Sequence, residues 1–256
     1  MEFERQAFYP SEESLRTIED CANKLAPEDE DLSEWHNSYI KYHKLRVALD
    51  LDIAKEEVTQ NANVLEFGSI PLLFTAALSQ SNYNVTGCDI APERYAETLD
   101  KIEINVVKCN IETEKLPFDD NSFDAIVFNE LFEHLRINPI FTLTEVLRIM
   151  KPGATMMLSS PNLRSIAGIT NFIFRNRAYS CSGNTYAEYQ KLEKLGHMGH
   201  VREYTTKEVT EFLENVGFTV TKIIYRGRFK TRLRQMIIKI FPSLSPFVSY
   251  IATKPT

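Results

Sequence analysis

Glu130-Leu131-Phe132-Glu133-His134 puts two carboxylates and an imidazole inside five residues. At helical spacing, positions 130, 133 and 134 share one face. Two hard oxygen donors and a ring nitrogen converging on one point suit Mg²⁺, Mn²⁺ or Zn²⁺. The same residues also fit a metal-free general base, His134, or a purely structural contact. The cluster follows Phe123–Asn129, an apolar run of strand length that begins after the turn-forming Asp119-Asp120-Asn121-Ser122. A helix-like stretch over 142–150, the punctuation Lys151-Pro152-Gly153 and an apolar strand over 154–159 come next. Asn129, Glu130, Glu133 and His134 therefore stand at the carboxyl end of a strand, where open α/β sheets bind ligands.

A second polar end lies upstream. Val64–Gly68 reads as a strand running into a tight turn, and a helix starts near Leu72. Gly68 lets a ligand approach the backbone closely, and a helix start offers free N–H groups. Asp89 closes the next strand 21 residues after Gly68, a spacing suited to gripping ribose hydroxyls. Asp89 as a cap for the chain at Ala91-Pro92, and Gly68 as a plain turn, are the simpler alternatives.

The elements that must position these residues alternate. Residues 1–60 read as a helical cap with an acidic loop at 27–31. From residue 61, strands over 63–68, 84–89 and 104–109 alternate with helices over 72–80 and 92–101. The pattern predicts one α/β domain over 61–256: a Rossmann-like, seven-stranded, mostly parallel sheet with helices on both faces. Residues 163–199, rich in Phe and Tyr, are too long for a plain connection and read as a lid after the fifth strand. Thr205 or Thr206 caps another helix. The ending, strands over 217–225 and 247–253 with a helix over 228–241, suggests an antiparallel pair at the sheet edge.

Composition bounds the rest. The 256 residues carry a net charge of −6, which argues against a protein dedicated to nucleic acid. Four cysteines (Cys21, Cys88, Cys109, Cys181) show no CxxC spacing and read as reduced structural thiols. With no signal-peptide pattern at the start and no apolar run of about 20 residues, a cytoplasmic protein is expected. Residues 226–241 hold six basic residues and an apolar stripe, Leu233, Met236, Ile237, Ile240 and Phe241. Such an amphipathic helix either packs its stripe on the domain or rests on an anionic membrane as a peripheral contact.

These segments, in this order, resemble the class I S-adenosylmethionine-dependent methyltransferases over residues 60–225. Glu66-Phe67-Gly68 resembles the family's first motif, which implies that Glu66 lies near the methionine amine. Asp89, followed by Ile90, matches the ribose-binding acid. Lys108-Cys109-Asn110-Ile111 resembles the stretch that reaches the adenine amine. Phe123–Asn129 resembles the fourth strand, and Leu147–Gly153 the turn before the fifth. The resemblance implies a cofactor set of Glu66, Gly68, Asp89, Ile90, Asn110, Ile111 and Asn129. Ile70 and Leu72 stand where the family usually has glycine, and Asn110 replaces the more usual Asp.

The E-x-x-E-H cluster is similar to that of the ubiquinone-pathway O-methyltransferases and the small-RNA 2′-O-methyltransferases. In both, it binds a divalent metal beside the accepting hydroxyl. His200-Val201-Arg202-Glu203-Tyr204-Thr205 resembles the second-histidine stretch of the RNA enzymes. The implied metal shell is Glu130, Glu133, His134 and His200, with His197 as an alternative ligand and Glu133 and His134 in the catalytic roles. The expected function is O-methyl transfer from S-adenosylmethionine to a small-molecule or saccharide acceptor. An RNA 2′-O-methyltransferase and a non-catalytic cofactor-binding module are the alternatives.

Overall fold

Hydrophobic strands of four to twelve residues build the frame in a computed structural model of the protein, which describes residues 4–27, 30–195 and 199–256. They are β1 (Glu4–Ala7), β2 (Asn63–Phe67), β3 (Asn84–Asp89), β4 (Asn105–Lys108), β5 (Phe123–Asn129), β6 (Met150–Pro161), β7 (Thr219–Arg226) and β8 (Phe247–Thr253). Their order in the sheet is β1-β7-β8-β6-β5-β2-β3-β4. β2 pairs in parallel with both β3 and β5, β3 with β4, and β1 with β7, while β7 and β8 run antiparallel. The sheet therefore has eight strands where seven are expected. The extra one is β1, from a start that reads as wholly helical. It pairs with β7, so the edge lies one strand beyond the antiparallel pair. Four residues are too few for a period-2 signal to register.

The chain groups into two units. One holds residues 9–127 and 148–155. Here α1 (Glu12–Lys24) starts at Ser11, whose side chain accepts from the Ser14 N–H, and α2 (Glu30–Glu57) packs against it. His36 is wholly buried in α2, with Nδ1 3.0 Å from the Tyr95 hydroxyl and Nε2 3.3 Å from the Ala22 carbonyl. It ties three segments together rather than serving a ligand. α3 (Leu73–Gln80) follows β2 through Leu72, which sits at φ 67°. Val64, Leu65, Phe67, Leu73 and Leu78 form the core around β2.

The other unit holds the residues through Phe8, 128–147 and 156–256. The expected lid segment contains two helices, α6 (Ile166–Arg175) and α7 (Thr185–Leu195), rather than irregular chain. α8 (Thr206–Val216) opens on a full capping box between Thr205 and Glu208 and closes on Gly217 at φ 119°. α9 (Arg232–Ile240) lies between β7 and β8, as the terminal pattern predicts. Among the described residues, no helix is long and apolar enough to cross a membrane.

Candidate active site

In the first unit, the sequence-predicted cofactor residues gather at the carboxyl ends of β2, β3 and β4. Gly68 leaves β2 at φ 69°, a conformation open to glycine, and its N–H donates to the Cys88 carbonyl at 2.8 Å. The Asp89 carboxylate braces this turn: one oxygen accepts from the Ile70 N–H at 3.1 Å, the other from the Ala91 N–H at 2.9 Å. The capping reading of Asp89 is thus realised, and the capped loop holds the acid in a fixed pose. Ile90 and Ile111 are half-buried beside it. The Asn110 side-chain oxygen accepts from the Glu112 N–H at 3.2 Å, so it shapes its own turn. An amide oxygen accepts two hydrogen bonds, so this turn leaves one lone pair for the expected adenine amine.

Glu66 is buried and accepts from the Thr75 hydroxyl at 2.6 Å. Burial pushes its carboxyl up to about 8; Thr75 works against the rise, and the nearby Asp89 and Asp50 add to it. Arg46 on α2 donates to the Tyr39 hydroxyl at 3.4 Å and faces Asp50 at 3.9 Å. Burial raises the Tyr39 phenol, Arg46 opposes that, and Glu66 adds to it, so α2 presents this group toward the Glu66 carboxyl. Tyr39 and His43 stack at 4.6 Å, whereas Tyr42 points to solvent.

The Glu66 shift makes a stability prediction. Below the ordinary value of 4.5 the carboxyl is neutral in both the folded and unfolded states. Between 4.5 and about 8 only the unfolded chain ionises, so stability falls as pH rises through that window. In Glu66→Gln the decline is expected to flatten by a few kcal/mol, at about 1.4 kcal/mol per unit. Urea unfolding from pH 5 to pH 9 checks this; parallel curves for the two proteins would remove the shift.

In the second unit, the residues after β5 do not form the helix that the E-x-x-E-H spacing predicts. Glu130 sits at φ 51°, and only Phe132–His134 make a single 3₁₀ turn. Glu130 consequently parts from the other two. Glu130 turns to the wholly buried Arg226 of β7, whose Nη2 donates to its Oε1 at 2.7 Å, and Ser159 donates to the same oxygen at 2.9 Å. Glu133, His134 and His200 come together instead, with one ligating atom from each within 4.8 Å of the others. Asn129 ends β5 in this unit, with neither atom of its buried amide hydrogen-bonded among the described residues. His197 lies outside the described residues.

The hydrogen bonds fix what the two imidazoles can offer. His134 Nδ1 is 3.1 Å from the Gly199 carbonyl, which only accepts, so Nδ1 carries the proton and Nε2 keeps its lone pair. His200 Nδ1 is 2.9 Å from the Ser182 hydroxyl. That hydroxyl spends its single proton on the Glu203 carboxylate, so it accepts from His200, and Nε2 of His200 is left with a lone pair as well. Metal-ligating histidines are usually oriented in this way. Burial, then the His200 charge, presses His134 down to about 4, which keeps its imidazole neutral at pH 7.

Glu203 is the organising residue that the spacing does not reveal. Its buried carboxylate accepts from the N–H groups of Ser180, Cys181 and Ser182 and from both serine hydroxyls. Burial alone would raise its pKa; the donors from His200, Ser180 and Ser182 overcome this and hold it far below the usual carboxylate range. Cys181, His200 and Glu203 form a second group of donor atoms. So many protein donors already hold Glu203 that it acts as a clasp, fixing 180–182 against 200.

Glu188 on α7 adds a second clasp, accepting from the His200 and Gly183 N–H groups at 3.1 Å each. Gly199 is squeezed in this corner: a Cβ there would lie 2.3 Å from the Glu188 backbone oxygen. Gly199→Ala is expected to displace His200 and weaken divalent-metal binding 10- to 100-fold, the usual cost of losing an orienting contact. Mn²⁺ titration of the folded variant checks this, and wild-type affinity would refute the role of the corner.

Residues 65–158, just over a third of the chain, match the family model described as a methyltransferase domain. No curated protein matches the chain. Solved structures share the fold at low identity. A SAM-dependent methyltransferase from Archaeoglobus fulgidus is 17% identical, covers 85% of this chain and 99% of its own, and has a TM-score of 0.58. One from Thermotoga maritima is 19% identical, covers 88% and 97%, and has a TM-score of 0.58. The cyclase SpnF, 14% identical with a TM-score of 0.53, covers 98% of this chain and 100% of its own. Fold likeness therefore does not choose the acceptor.

Proposed function

We propose that the protein is an S-adenosylmethionine-dependent methyltransferase, transferring the sulfonium methyl to a hydroxyl of a small-molecule or saccharide acceptor with the help of a divalent cation. The supporting observation is the grouping of Glu133, His134 and His200, with both imidazole Nδ1 atoms committed to other partners. One carboxylate and two imidazole rings are a donor set for Mn²⁺, Zn²⁺ or Mg²⁺. A bound divalent cation would lower the pKa of a coordinated alcohol by several units, which a sugar hydroxyl needs at neutral pH.

The chain's own residues supply the rest. Glu203 and Glu188 hold His200, and the Gly199 carbonyl orients His134. Gly68, Asp89, Ile90 and Ile111 shape the cofactor end, and Glu66 is placed to meet the positively charged methionine amine. Transfer breaks the S–CH₃ bond, forms an O–CH₃ bond and releases the hydroxyl proton. At a pKa of about 4, His134 would be a weak base, which favours ligation over a metal-free mechanism.

The test is calorimetric titration of Mn²⁺, Mg²⁺ and Zn²⁺ into chelator-stripped protein, beside S-adenosylhomocysteine, followed by a methyl-transfer screen over saccharide acceptors. Saturable metal binding and metal-dependent transfer are the expected results. Full activity in chelator with no metal heat would return His134 to the base role. Preferential methylation of RNA ends would replace the acceptor class.

A further inference from the structure

α9 is anchored by its wrong side. Ile238 is fully buried, its carbonyl accepts from the Gln6 amide at 2.5 Å, and the Phe229 N–H donates to Gln235 at 3.0 Å. At 100° per residue, Met236, Ile240 and Leu233 fall roughly 160–220° around the helix from Ile238. The apolar stripe of this amphipathic helix therefore points away from the domain it packs on. Leu233, Met236 and Ile240 are 69%, 60% and 67% exposed, and Phe241, next in the chain, is 57% exposed. A soluble domain gains nothing from such a stripe, since leaving each of these side chains in water forfeits about 1.5–3 kcal/mol.

Charge says what covers it. Arg232 and Lys239 border one edge of the stripe; the exposed Arg234 lies on the other side, past Ile237. Residues 226–256 contain seven basic and no acidic residues, in a chain whose net charge is −6. A second apolar projection lies nearby in the fold. Asn162, just before α6, donates its side-chain amide to the Ser243 and Ser245 carbonyls that follow α9, and α6 exposes Phe172, Ile173 and Phe174. A protein partner needs only shape, whereas apolar side chains rimmed by cations match a headgroup layer above acyl chains.

We propose that α9 docks this enzyme onto an anionic lipid surface, with Leu233, Met236, Ile240 and Phe241 inserted and Arg232, Arg234 and Lys239 at the headgroups. Docking requires neither cofactor nor metal, so it stands apart from the methyl-transfer reading.

The experiment is vesicle co-sedimentation of the full chain, comparing pure phosphatidylcholine with a one-to-three mixture of phosphatidylglycerol and phosphatidylcholine. Binding is expected only to the anionic vesicles, and to weaken as salt rises. Replacing Arg232, Arg234 and Lys239 together by Gln is expected to reduce partitioning on the order of 100-fold. Leu233→Ser with Met236→Ser, both outside the packed face, is expected to abolish it while leaving S-adenosylhomocysteine binding unchanged. No binding to anionic vesicles overturns the proposal, as does equal binding to neutral ones or insensitivity to either set of substitutions. A dimer in solution that the serine pair dissociates would assign the stripe to a second copy of the chain and overturn it too.

Discussion

Glu133→Ala is expected to lose divalent-cation binding and to slow methyl transfer on the order of 10³-fold, with S-adenosylhomocysteine affinity unchanged. The magnitude corresponds to roughly 4 kcal/mol of lost stabilisation at the developing alkoxide. The variant is informative because position 133 also contributes backbone, which the substitution leaves intact. The Glu133 carbonyl accepts from the Val201 N–H at 3.0 Å, so residues 199–202 stay tied to the turn after β5. His134 and His200 should keep their places, their ring planes perpendicular at 4.6 Å. Glu133→Gln, which keeps volume and one oxygen while removing the charge, should fall between. Kinetics in metal-buffered solution with a matched calorimetric titration measure both effects. Wild-type turnover in chelator-treated Glu133→Ala would sink the metal-assisted reaction.

Arg226→Met is expected to cost about 3–5 kcal/mol of stability, the range found when one partner of a buried ion pair is removed. For a chain of this size that is a fall in Tm of roughly 6–15 °C. Arg226 is 1% exposed, and its guanidinium bonds Glu130 at 2.7 Å and lies 5.8 Å from the Phe247 ring centre. Its loss leaves the Glu130 carboxylate without its opposite charge in a poorly solvated place, with Ser159 still donating to the same oxygen. Adding Glu130→Leu to Arg226→Met should recover most of the loss, because an apolar pair of similar size avoids desolvating two charges. The cycle also separates two roles for Glu130. If Glu130 held metal rather than Arg226, Arg226→Met would leave stability nearly untouched, and Glu130→Gln would weaken metal binding as much as Glu133→Gln.

The contrast between the two glutamates shows where sequence reading stops. A period of 3.6 puts 130, 133 and 134 on one face only if the segment is helical. The left-handed φ at Glu130 breaks that premise, and no residue type there announces it, since glycine would be the usual signal. β2, β3, β5 and β8 were legible because their apolar runs end in Gly, Asp, Asn or Pro turns. The approach of His200 to His134 was legible only through the resemblance of 200–205 to a known second-histidine stretch, because 66 residues separate them. Arg226 reads as one cation in a basic run, and burial of a single arginine in such a run has no sequence signature. Glu203 stood inside that stretch, but its grip on Ser180–Ser182 depends on how α6 and α7 bring the chain back. The outward stripe of α9 has a similar origin. Amphipathicity predicts that a stripe exists, while the residue that actually packs, Ile238, is set by where β7 and β8 leave the helix.

β1 has a consequence for how the molecule is made. Glu4–Ala7 pairs with Ile223–Arg226, and the Gly227 N–H closes on the Ala7 carbonyl at 3.3 Å. A ribosome therefore delivers one half of this ladder more than two hundred residues before the other. Until then the early strand has no partner, and β7, once released, has an open hydrogen-bonding edge on the side away from β8. Loop closure over such a span is slow relative to local pairing. This edge of the sheet is finished by the earlier-made of its two strands, so a substitution in Glu4–Ala7 would burden the last step of assembly rather than the first.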